Sequence, residues 1–121
     1  HLVATEDAAK NTKAMAALVD AWYTTLDYIT ANPDESVKIM AKKAGLSEAE
    51  YQDFESGTTI FSATDAVNAF EDRTGDPTSL PEMARRINPF LVSSGLAEKE
   101  ADLSGLFEPS FTTDYLAKNP G

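Results

Sequence analysis

Met15, Leu18, Val19, Trp22, Leu26 and Ile29 recur at three- and four-residue steps. That spacing winds into a single apolar stripe on a helix of about five turns and does not alternate as a half-buried strand would. Lys13, Asp20, Thr24 and Asp27 fall on the other side. Asn11 is placed to cap the start of this helix. The pair Asn32-Pro33 ends it, because proline disfavours the helical conformation of its predecessor.

The same punctuation repeats down the chain. Asn32 opens a second helix with Pro33 at its first position and Asp34 and Glu35 in the first turn, where the helix dipole favours them. Val37, Met40, Ala41 and Ala44 form its inner face, and Gly45 closes it as a left-handed cap. Ser47-Glu48-Ala49-Glu50 spells a capping box for a third helix, with Tyr51 and Phe54 turned inward and Gly57 at its end. Ser62-Ala63-Thr64-Asp65 begins a fourth, with Ala66, Val67 and Phe70 on its apolar side. Thr74-Gly75-Asp76-Pro77 is a turn. Thr78 or Ser79 caps a fifth helix carrying Leu80, Met83, Ala84, Ile87 and Leu91, and Pro89 predicts a kink or break near Asn88. Gly95 caps its end. Residues 98–102 read as a solvated connector anchored by Leu103, Leu106 and Phe107, with a short helix from Pro109 to Leu116 and a frayed end at Asn119-Pro120-Gly121.

The expectation is a mainly α fold, 1–121 as a single domain, with five or six helices and one or two short strands. The strand candidates are His1–Ala4 and Thr59–Phe61. Two such segments do not make a stable sheet by themselves, since a lone strand pair is marginal in water. The pattern therefore points to a sheet outside these 121 residues.

Composition narrows the function classes. Twenty acidic residues against ten basic ones leave a net charge of −10. Phosphate binding needs clustered Lys and Arg, so nucleic acid is not an expected partner, and anionic membrane surfaces are disfavoured too. No apolar run approaches the ~18 residues of a membrane span. Without cysteine there is no disulfide, thiolate metal site or cysteine nucleophile. One histidine, His1, rules against a multi-histidine metal centre, and a ligand role for it lacks an orienting partner. The first residues lack the basic start and apolar run of a signal peptide. A chain starting at His1 is expected to be a mature secreted protein or an excised fragment rather than a cytoplasmic one.

Chemistry-bearing motifs are sparse. Asp20 and Asp27, the group Glu71, Asp72 and Asp76, and the run Glu98, Glu100 and Asp102 lack metal-ligand or acid–base spacing, and no glycine-rich phosphate loop exists. Trp22 and Tyr23 are expected in the core. Thr58 and Thr59 follow a helix end and a glycine, with Phe61 on the same side as Thr59. Hydroxyls and backbone N–H groups there are a candidate site for a small anion. Arg85 and Arg86, the only adjacent arginines, suit bidentate oxyanion binding, although pairing with Asp or Glu is the commoner fate on an acidic protein. No carboxylate pair has a spacing that predicts an enzyme.

A set of ordered blocks goes further. These are Leu2–Asn11, Leu18–Ile29, Ala31-Asn32-Pro33-Asp34-Glu35-Ser36, Ile39–Leu46, Ser47–Tyr51, Phe90-Leu91-Val92 with Gly95-Leu96, and Asp102–Phe111. In order and spacing they resemble the C-terminal part of the substrate-binding proteins of bacterial ABC importers for nitrate, taurine, alkanesulfonates and thiamine-pyrimidine precursors. The resemblance covers nearly the whole chain but about the last third of such a protein. Pro89 and the stretch from Thr74 to Pro81 depart from the family pattern. The resemblance implies two α/β lobes around a cleft, with this chain as the C-terminal portion of the first lobe of a type II periplasmic-binding-protein fold. It also implies a non-enzymatic role: capture of a small solute in the periplasm or another extracytoplasmic space and delivery to an ABC permease, by a parent protein that is soluble or membrane-anchored. No cofactor is implied. Most solute contacts would come from segments outside this chain, and residues 57–61 are the expected contributor from within it. The competing reading is a free-standing helical protein-interaction domain. A bare strand and exposed lobe-facing surface would further favour a homodimer of the fragment.

Overall fold

The computed structural model describes residues 2–119. His1, Pro120 and Gly121 lie outside them, and with them the ligand role weighed for His1 and part of the frayed end. Seven helices are present among the described residues: α1 (Glu6–Ala9), α2 (Thr12–Ala31), α3 (Pro33–Ala44), α4 (Glu48–Ser56), α5 (Ala63–Phe70), α6 (Leu80–Ser93) and α7 (Ser110–Lys118). The fold is mainly α. The helix beyond the expected five or six is α1, a single turn whose N-terminus is held by Thr5 Oγ1 accepting from the Ala8 N–H at 3.2 Å.

Neither expected strand forms: no strand occurs among the described residues, and 2–5 and 58–62 have no regular structure. A ladder needs a second backbone alongside, and the Thr58 N–H is instead drawn into the last turn of α4 by the Glu55 carbonyl at 2.9 Å.

The chain divides at Ser62/Ala63 into two compact units. In the first, α1, α2, α3 and α4 pack in sequence order, each on the next. Asn11 caps α2 by accepting from the Ala14 N–H at 3.2 Å. Asn32 stands at the start of α3, but its side chain makes no cap there. Its amide turns back and donates to the Tyr28 carbonyl at 3.0 Å, so it closes α2 instead. Gly45, at φ 73°, lets the Leu46 N–H reach the Ala41 carbonyl at 3.0 Å and end α3 in a Schellman turn. The capping box forms at Ser47 and Glu50, and the Ser47 hydroxyl holds the Glu50 carboxyl below its ordinary range. Tyr51 faces inward, its hydroxyl donating to Met40 Sδ at 3.2 Å, but Phe54 is exposed.

In the second unit α5 packs against both α6 and α7. Phe70 meets Phe107 edge-to-face at a centroid distance of 6.0 Å. α6 runs through Pro89 to Ser93 as one helix, so of the expected kink or break no break occurs. Pro89 and Arg85 are both exposed, so the carbonyl that loses its helical partner lies on the solvent side of the helix. Gly95, at φ 74°, then takes the left-handed position that returns the Leu96 N–H to the Leu91 carbonyl at 2.9 Å.

The core is thin. The buried apolar residues are Val19, Tyr23, Val37, Ala41, Ala63 and Tyr115, nearly matched by the buried polar Ser36, Ser79, Glu82, Asn88 and Thr112. The stripes marked as inner faces by their periodicity are only partly covered. On α2 Val19 and Tyr23 are buried, but Leu18 is 49% exposed and Trp22 41%, against the expectation for Trp22. On α6 the buried positions are Glu82 and Asn88, while Ile87 is 46% exposed and the adjoining Phe90 61%. Total accessible surface is 9058 Å². A compact monomer of this mass exposes about 6,400 Å², and even two separate compact halves would expose only about 7,700 Å². Whatever the arrangement of the units, the chain leaves more surface uncovered than closed domains do.

Candidate functional site

Thr58, Thr59 and Phe61 lie together in one exposed stretch at the C-terminal end of α4. The donors of Thr58 are already engaged: its N–H goes to the Glu55 carbonyl and its hydroxyl to the Phe54 carbonyl at 3.4 Å. A helix C-terminus presents the negative end of its dipole, and Asp53 and Glu55 lie in the last turn. By itself, then, this stretch offers a hydroxyl at Thr59 and apolar surface at Ile60 and Phe61, each 57% exposed, rather than a nest for an anion.

The most highly connected polar cluster lies elsewhere, between α5 and α6. The turn after α5 is folded around Asp76, which accepts from the Thr78 N–H at 2.8 Å, from the Thr78 hydroxyl at 2.6 Å and from Arg73 Nε at 2.7 Å. These donors, Thr78 first and Arg73 next, hold the Asp76 carboxyl far below the usual carboxylate range. Arg73 also reaches Glu71 at 3.0 Å, Thr78 at 3.1 Å and the Asn68 carbonyl. Ser79 caps α6 and Thr78 does not. The Ser79 hydroxyl donates to the Glu71 carbonyl at 2.8 Å and accepts from the N–H groups of Arg73 at 3.3 Å and Glu82 at 3.4 Å, at a position with no solvent exposure.

Arg85 and Arg86 are consumed by acidic neighbours, the commoner of the two fates. Arg85 grips Asp72 with two nitrogens and Glu82 with one at 3.1 Å, and Arg86 Nε donates to Glu82 at 2.7 Å. Glu82 is held below its ordinary range by Arg86 and then Arg85, and Asp72 by Arg85. Arg73, Arg85 and Arg86 thus face Glu71, Asp72, Asp76 and Glu82, and each guanidinium already has a carboxylate. The cluster fastens a turn to a helix and presents no spare cation to an oxyanion. Among the described residues no group of three or more His, Cys, Asp or Glu side chains is arranged to hold a metal ion.

The cluster has a consequence in acid. Carboxyls depressed in the folded state contribute stability that is fully present above their unfolded pKa, about 4, and is lost as pH falls through the folded values. With Asp72, Asp76 and Glu82 all depressed, the unfolded chain binds more protons than the folded one in that range. The thermal midpoint of the second unit is therefore expected to hold steady from about pH 7 to 5 and to fall below about pH 4. A midpoint unchanged down to about pH 2.5 would contradict this.

The sequence signal for the Ser79 cap was visible, but the convergence of Glu71 and Arg73 on the same hydroxyl was not. The Asp72–Arg85 pair spans thirteen positions and has no periodic signature. Compared with known protein-family models, curated proteins and solved structures, the chain matches none.

Proposed function

We propose that this chain is the C-terminal portion of the first lobe of an extracytoplasmic solute-binding protein. The whole protein captures a small solute of the sulfonate, nitrate, taurine or pyrimidine-precursor class and hands it to an ABC permease. The observation that carries this reading is the half-covered state of the apolar stripes on α2 and α6, where Leu18, Trp22 and Ile87 lie open and Phe90, adjoining the α6 stripe, is exposed. Helices that return to a sheet laid down by earlier sequence would leave such faces bare when taken alone. The ordered blocks from Leu2 to Phe111 support the same assignment. Thr59 and Phe61 would contribute hydroxyl and aromatic surface to the cleft, while the charge that balances an anionic solute would come from outside this chain.

The reading makes a prediction for the 121 residues alone. Calorimetric titration with taurine, an alkanesulfonate, nitrate and a pyrimidine precursor is expected to show no micromolar binding, whereas the parent protein binds one of them. Micromolar affinity in the chain by itself would overturn the view that the site is completed elsewhere.

A second reading, a free-standing helical interaction domain, is favoured by the lack of any strand among the described residues. It would seat a partner helix on the same open faces. The coding frame separates the two: α/β sequence sufficient for the rest of two lobes upstream of His1 supports the first, and a start codon beside it supports the second.

A further inference from the structure

We infer that Met40 and Tyr51 form a redox-sensitive latch: oxidation of Met40 to its sulfoxide releases α4 from α3, and reduction docks it again. Such a device is separate from solute capture and does not depend on it. α4 packs chiefly on α3. None of its nine residues is buried, and Tyr51 alone among them is half-buried, the others being exposed. The attachment of α4 therefore concentrates on Tyr51, whose hydroxyl reaches across to α3 and donates to Met40 Sδ at 3.2 Å. A thioether sulfur is a weak acceptor, so this tie has little strength in reserve.

The chain has no cysteine and three methionines, so a peroxide acts first on Met15, Met40 and Met83. All three are half-buried, and among the described residues Met40 is the one whose sulfur accepts a hydrogen bond. In the reaction the Met40 sulfur attacks one oxygen of hydrogen peroxide and the O–O bond breaks. The other oxygen takes the proton of the first and leaves as water. The thioether gives up two electrons to the peroxide and becomes a sulfoxide. The accepting atom is then an oxygen set a bond length away from the sulfur, and a larger, polar group stands in the seam that Tyr51 fills. α4 has no second half-buried side chain to hold it while Tyr51 shifts.

The test uses the full chain carrying Met15→Leu and Met83→Leu, volume-conserving changes that leave Met40 as the only methionine. After treatment with millimolar hydrogen peroxide, mass spectrometry counts the added oxygen and amide exchange reads each helix. One oxygen should enter, and amides of α4 should exchange at least about tenfold faster while those of α5, α6 and α7 hold their rates. Methionine sulfoxide reductase should restore the original exchange. Met40→Leu, with Met15 and Met83 kept, should take up oxygen under the same treatment while α4 exchanges alike before and after it. A Met40 sulfoxide with α4 unchanged would overturn the inference. So would acceleration spread evenly over all the helices, failure of Met40 to take up oxygen, or the same loosening of α4 in Met40→Leu. None of these outcomes touches solute binding by the parent protein, so the two readings fail separately.

Discussion

Ser79→Ala is expected to destabilise the second unit by about 2–4 kcal/mol. The hydroxyl has no exposure and serves three backbone groups at once: the Glu71 carbonyl and the N–H groups of Arg73 and Glu82. Loss of an N-cap alone costs about 1 kcal/mol. The rest comes from leaving polar groups around a buried point without partners, at about 1–3 kcal/mol. Ser79→Asp keeps the accepting oxygens but removes the donor to Glu71 and buries a charge, so it should fare no better. Urea denaturation of each variant gives the comparison. A loss under about 0.5 kcal/mol for Ser79→Ala would mean that the hydroxyl is dispensable and the turn holds itself.

Asn88→Ala is expected to cost about 1.5–3 kcal/mol, and its damage should be local. The Asn88 amide is buried on α6 and makes a two-point clasp with one residue of the connector. Its Nδ2 donates to the Ala101 carbonyl at 2.8 Å, and its Oδ1 accepts from the Ala101 N–H at 2.9 Å. This imitates one rung of a sheet with a side chain in place of a second strand. Because little else pins the stretch from Glu98 to Asp102, amide exchange at Ala101 should accelerate at least about tenfold in the variant, ahead of amides inside α6. Uniform acceleration across the second unit would show that the clasp stabilises the whole unit rather than the connector.

Helix boundaries were largely legible because they rest on local chemistry. Asn11, Gly45, the Ser47–Glu50 box and Gly95 act within four residues of their own positions, and each is where its residue type predicts. Asn32 shows where this runs out. The same amide can serve the helix before it or the one after, and the nearby Tyr28 carbonyl decides between them. Periodicity located the apolar stripes but not their coverage. Leu18 and Trp22 are turned about 100° around the helix from Val19 and Tyr23, and what lies on each side depends on chain distant in sequence. Thr59–Phe61 looked like a strand for the same reason: β-branched and aromatic residues fit a pleated sheet, but a sheet needs a neighbour. The Asp72–Arg85 and Asn88–Ala101 contacts each span thirteen positions, beyond the reach of capping or helical-repeat rules.

These observations converge on one physical claim. In the proposed function, the apolar faces of α2 and α6 would be covered by a β-layer contributed from outside residues 1–121. The direct test is a crystal structure of the protein encoded by the full reading frame. The account predicts that Leu18, Trp22, Ile87 and Phe90 are buried there against strands contributed from outside this segment. The same four side chains facing solvent in that structure would contradict it.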